Sequence, residues 1–171
     1  MRNDYTQEEL HLREFMRAAA VIKGRWEERE NDKHGVGDTR FLDEPLIRRD
    51  YVRVGTSKEA RSSSNGTHNE HVIPRKWIYD ECLALLGEET PTSIEAMGRF
   101  LQRNLLIVEI SWSEQDRLNR IPKLKDGMPD GWNCQTDNPF ARLKSAGIEF
   151  LLNEDLSEAE FLRRRDHLLK A

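Results

Sequence analysis

The stretch Asn69-Glu70-His71-Val72-Ile73-Pro74-Arg75-Lys76 sets a carboxylate directly before an imidazole, then two β-branched residues, a proline and two cations. Further on, Arg103-Asn104-Leu105-Leu106-Ile107-Val108-Glu109-Ile110-Ser111 runs into Trp112-Ser113-Glu114-Gln115-Asp116-Arg117-Leu118. These residue types suit phosphodiester hydrolysis. A water must be deprotonated for in-line attack, and a divalent cation must hold the phosphate and the leaving oxygen. Histidine suits the base because its ordinary pKa lies near neutrality. A neighbouring carboxylate is the hard oxygen donor that magnesium prefers. Successive strand residues point to opposite faces, so Glu70 and His71 serve one site only if the strand ends or bends there. Pro74 supplies a reason for it to do so.

The elements that must position these groups are readable from periodicity and caps. Thr6 with Glu9 forms a capping-box pattern, and Leu10, Phe15, Met16, Ala19, Ile22 and Trp26 recur at helical spacing, predicting one long helix over 6–30. Gly35 and Gly37 lie beyond its end. Its apolar stripe fits either the body of the protein or a homodimer with a second copy of the chain. Pro45 sits in a predicted loop, and Tyr51–Val54 alternates as a strand would. Residues 55–69 are rich in Ser, Gly and Asn and predict a mobile loop.

Glu70–Pro74 predicts a short strand, Trp77–Leu86 a helix stopped by Gly87, and Thr92 with Glu95 a cap for the next helix. Asn104–Ser111 has a continuous apolar middle, as a buried strand does, and Ser113 is placed to cap a short helix behind it. Pro122, Pro129 and Pro139 mark an irregular segment pinned by Trp132. Phe140–Ala146 reads as a helix, Ile148–Leu152 as an edge strand and 158–170 as a closing helix. On that last helix, Arg163-Arg164-Arg165 reads as a solvated face.

A chain of 171 residues suits one domain with appendages, and no apolar run is long enough for a membrane span. Two cysteines are too few for a disulfide framework, and the N-terminus has no signal-like apolar core, which points to a cytoplasmic protein with free thiols. The net charge of −4 does not itself suggest nucleic acid, but residues 45–76 hold seven cations against three anions. That local basic surface, just ahead of and around Glu70-His71, fits phosphate contacts, and it equally fits a solvated face.

Glu-His-Val-Ile-Pro, the later Asn-Leu and Glu-Gln-x-x-Leu together resemble the HNH endonuclease family, the ββα-metal nucleases. The resemblance covers residues 68–120 and implies an α+β fold. Its core would be a two-stranded antiparallel hairpin plus a helix, elaborated by further helices that include the long N-terminal one. Residues 1–37 would form an N-terminal helical appendage, 38–152 the nuclease domain and 153–171 a C-terminal helix.

Carried over residue by residue, the resemblance makes His71 the general base and Glu70 a metal ligand. Asn104 would hold the loop or orient the base, and Gln115 stands where the family's third histidine falls, with Glu114 and Asp116 beside it as substitute ligands. The implied cofactor is Mg2+ or Mn2+ and the implied partner is DNA, contacted by Arg53, Lys58, Arg61, His68, Arg75 and Lys76. The alternative is a scaffold of the same kind that binds nucleic acid or protein without cleaving, motivated by Gln115 and the acidic overall charge.

Overall fold

The structure, a computed structural model, describes residues 5–29, 38–43, 46–88, 90 and 92–167. The expected breaks at Gly35 and Gly37, the Pro45 turn and the end of the last helix lie outside the described residues. The chain is a mixed α and β protein built on one four-stranded sheet. In chain order it runs α1 (Gln7–Glu28), α2 (Arg49–Val52), β1 (Arg53–Ser57), α3 (Lys58–Ser62), β2 (Thr67–His71), α4 (Arg75–Leu86) and α5 (Ile94–Asn104). It continues with β3 (Ile107–Ser111), α6 (Trp112–Asn119), α7 (Pro122–Lys125), α8 (Ala141–Ser145), β4 (Phe150–Leu152) and α9 (Glu158–His167). Among the described residues no helix is long and apolar enough to cross a membrane.

The strand order is β2-β3-β1-β4. β1 and β3 are parallel, while the two outer strands pair antiparallel with them. β3 is central, and its continuous apolar run follows from having both faces covered. Ile107 joins a core built with Phe15, Ala18, Ala19 and Ile22 of α1, Ile78 and Cys82 of α4, and Met97 and Leu101 of α5. Val108 and Ile110 join the opposite core with Leu118, Leu124, Phe140, Leu143 and Leu152.

Several boundaries differ from the sequence reading. The strand expected at Tyr51–Val54 starts at Arg53, with Tyr51 and Val52 in α2. The loop expected over 55–69 holds the rest of β1, all of α3 and the start of β2. Ser57 is the reason: its hydroxyl accepts from the Ala60 amide and caps α3. Ser93 rather than Thr92 caps α5, and Ser111 rather than Ser113 caps α6, with Glu114 completing a capping box. Asn104 closes α5 instead of opening β3. Arg165, expected on a solvated face, is buried and donates to the Arg103 carbonyl and to Asn104 Oδ1. The Thr6–Glu9 capping box of α1 is present as expected.

α1 and α5 cross where Gly98 meets Met16. A Cβ at Gly98 would stand 2.8 Å from Met16 Cγ and 3.1 Å from its backbone nitrogen. Gly98→Val therefore overpacks the crossing, and we expect a loss of about 1–3 kcal/mol. Urea denaturation checks this, and an unchanged midpoint would show that the crossing tolerates the extra volume.

Candidate active-site cleft

β2 ends at His71, where its register with β3 closes at Ile107. Val72 N then bonds Leu106 O at 2.8 Å, and the chain turns through Pro74 directly into α4. This strand–turn–helix step brings Glu70, His71, Arg75 and Lys76 to one cleft of about 510 Å³. Asp43, Arg49, His68, Lys125, Asp126 and Arg142 complete its charged lining. Strand alternation would separate Glu70 from His71, but the strand stops at His71 and both line the same cleft.

The His71 side chain is 12% exposed, and its Nε2 lies 3.6 Å from Asp43 Oδ2. The same carboxylate oxygen accepts from Arg75 Nη1 at 2.6 Å. Burial alone would push the Asp43 carboxyl up, but His71, Arg75 and Arg49 outweigh it and hold its pKa below the ordinary aspartate value. His71 Nδ1 is buried and meets no hydrogen-bond partner among the described residues.

Glu70 is held on both oxygens. Oε1 accepts from Arg142 Nη1 at 2.7 Å, and Oε2 lies 3.2 Å from His68 Nε2. Burial works against its ionised form, but His68 and Arg142 prevail, and its pKa lies below the ordinary glutamate value. His68 Nε2 is also 3.1 Å from Gln115 Nε2 on α6. One ring nitrogen cannot donate to Glu70 and accept from an amide NH2 in the same tautomer. Turning the Gln115 amide over presents its oxygen to the same point, so that Nε2–H donates to both neighbours.

With the proton on Nδ1 instead, Glu70 Oε2, the His68 Nε2 lone pair and the Gln115 amide oxygen form a small convergent donor set of a kind a divalent cation accepts. Among the described residues, no three His, Cys, Asp or Glu side chains come together for a metal. The set is compatible with magnesium, which keeps several waters and takes few protein ligands.

Other residues singled out by sequence lie elsewhere. Asn104 is fully buried, donating to Phe100 O and accepting from Arg165. Glu114 is buried, receives the Ser111 amide at 2.8 Å and meets the Ser57 hydroxyl. Asp116 is exposed on α6 and does not line the cleft. Arg53 pairs with Glu109 and Lys58 with Glu149, while Arg61 is exposed on α3; none of the three lines the cleft. His68, Arg75 and Lys76 do.

Asp43 and Arg142 carry no local signal linking them to Glu70-His71. Arg142 is the stronger omission. It lies on α8, 2% exposed, with Nε donating to Leu124 O, Nη2 to Lys125 O and Nη1 to both Glu70 and His71 O. No protein-family model matches the chain, and comparisons with curated proteins and with solved structures returned no match.

Two outcomes follow for stability. Glu70 titrates lower in the folded than in the unfolded chain, so its contribution is present above about pH 4.5 and is lost as pH falls. Glu70→Gln is expected to flatten part of the acid limb of the wild-type stability profile; identical slopes below pH 4.5 would mean that Glu70 is not coupled to folding. Arg142→Met leaves a buried carboxylate and three carbonyls without their donor, and a loss of about 3–5 kcal/mol is expected in chemical denaturation.

Proposed function

We propose that the chain is a metal-dependent endonuclease of the HNH kind that hydrolyses phosphodiester bonds in DNA at this cleft. The observation that carries the reading is a meeting of two groups in one basic cleft: the His71–Asp43 pair, and His68 with Glu70, which Gln115 of α6 backs from outside the cleft lining to complete the donor set. The antiparallel pair β2–β3, connected through α4 and α5 instead of a hairpin turn and followed by α6, supports it, because α6 returns Gln115 to β2.

In this reading His71 takes a proton from the attacking water. Asp43, 3.6 Å from Nε2, stabilises the imidazolium that results. Arg75 keeps the Asp43 carboxylate in place. Arg49, Lys76 and Lys125 on the cleft wall hold the flanking phosphates by charge. Glu70, His68 and Gln115 would hold the divalent ion, which supplies charge stabilisation for the scissile phosphate and the departing oxygen. Arg142 fixes Glu70 from behind, leaving Oε2 toward the donor set.

A second reading, a scaffold that binds without cleaving, is favoured by one observation. Glu70 is already neutralised by Arg142 and stands beside a glutamine where a histidine would bind metal more strongly.

Plasmid cleavage separates the two. We expect nicking with magnesium or manganese, none with chelator, and a fall of at least about 100-fold for His71→Ala. Asp43→Asn should retain an intermediate rate. Binding without nicking under any metal favours the second reading, while equal nicking by wild type and His71→Ala removes His71 as the base.

A further inference from the structure

Trp112 stands apart from the other tryptophans. Trp26, Trp77 and Trp132 pack partly buried against the core, whereas Trp112 is 48% exposed. The fold nevertheless holds it firmly. It is the first residue of α6, directly after the Ser111 cap and within the Ser111–Glu114 capping box. Its indole nitrogen lies at the Gly66 turn, where a Cβ on Gly66 would come within 3.4 Å. Its ring centroid is 5.1 Å from that of His68, tilted by 45°. His68 lines the charged cleft and is itself held between Glu70 and Gln115. An immobilised aromatic face, half open to solvent and one side chain away from a cation-lined cleft, is the arrangement with which proteins stack an unpaired nucleobase.

We propose that Trp112 is a stacking platform for a base next to the phosphate held in the cleft, and that the substrate strand is single or locally unpaired there. This rests on the phosphodiester reading of the cleft and deepens it by naming the substrate class. The physical argument is one of access. In a duplex both faces of each base are covered by its stacked neighbours, so an indole gains a face only at an unpaired, frayed or extruded nucleotide. The cleft alone does not impose that requirement, because contacts to phosphates do not depend on whether a strand is paired.

The test uses the full chain carrying His71→Ala, so that bound probes are not consumed, with fluorescence anisotropy on a labelled single-stranded oligonucleotide and on its blunt duplex. The single strand should bind more tightly. Adding Trp112→Ala should weaken single-strand binding by about 5- to 150-fold, the effect of removing one base–aromatic stack, and leave duplex binding unchanged. Trp112→Phe should restore most of the loss, which separates stacking from damage to the fold. Equal single-strand affinity with Trp and Ala at this position overturns the platform, as does duplex binding that matches the single strand. Failure of both probes to bind overturns it as well. Plasmid nicking by the chain with His71 intact then reports independently whether the catalytic reading falls too.

Discussion

The buried guanidinium of Arg142 is the interaction on which the cleft depends. A charge taken out of water is costly unless its donors are satisfied, and here four of the five N–H groups that an arginine carries find oxygen partners. Two of those partners, Leu124 O and Lys125 O, belong to the short helix α7. The other two, Glu70 Oε1 and His71 O, belong to the end of β2. One side chain on α8 therefore ties the segment after α6 to the strand that carries Glu70 and His71. Apolar packing through Leu143 and Phe140 on either side of it keeps that side chain in place.

A second arginine network fastens the junction between α5 and β3 and explains where Asn104 goes. Arg103 and Arg165 are both buried, and each donates to the carbonyl of Cys134. Arg165 also takes the side-chain oxygen of Asn104 and the carbonyl of Arg103, so α9 is fastened to the last turn of α5. Burial lowers the Arg165 pKa to about 10, with the neighbouring Arg103 charge acting in the same direction, yet it remains a cation near neutrality. Asn104 is thus spent on closing a helix and anchoring another. The asparagine that the resemblance assigns to the cleft is a structural residue of the junction between α5 and β3.

The parts of the fold set by local chemistry were legible in the sequence. The Thr6–Glu9 box and the apolar run of β3 lie close to where spacing puts them, while β2, expected over Glu70–Pro74, runs from Thr67 to His71. The errors cluster where tertiary packing overrides composition. Residues 55–62 look like linker, yet Gly55 sits in β1 because a side chain there would stand 2.5 Å from Leu151 O of the neighbouring strand. Ser57 is polar and fully buried because it caps α3 and meets Glu114. The site divides in the same way. His68, Glu70 and His71 share one short strand and could be found together, while Asp43 and Arg142 reach them only through folding.

The adjacency of Glu70 and His71 poses a geometric problem that the end of β2 resolves. In a continuing strand the two side chains would face opposite layers of the sheet. Arg142 Nη1 instead reaches Glu70 Oε1 at 2.7 Å and the His71 carbonyl at 2.6 Å, so the carboxylate and the last strand carbonyl converge on one donor. The imidazole departs from that point toward Asp43 and the start of α4, while His68 and Gln115 gather on the other side of Glu70. The cleft consequently has two chemically different walls, one carrying the His71 imidazole with the Asp43 carboxylate and the other His68 with Glu70. Trp112 stands at the outer edge of the second wall, so the proposed base contact and the proposed donor set share His68 as a common member.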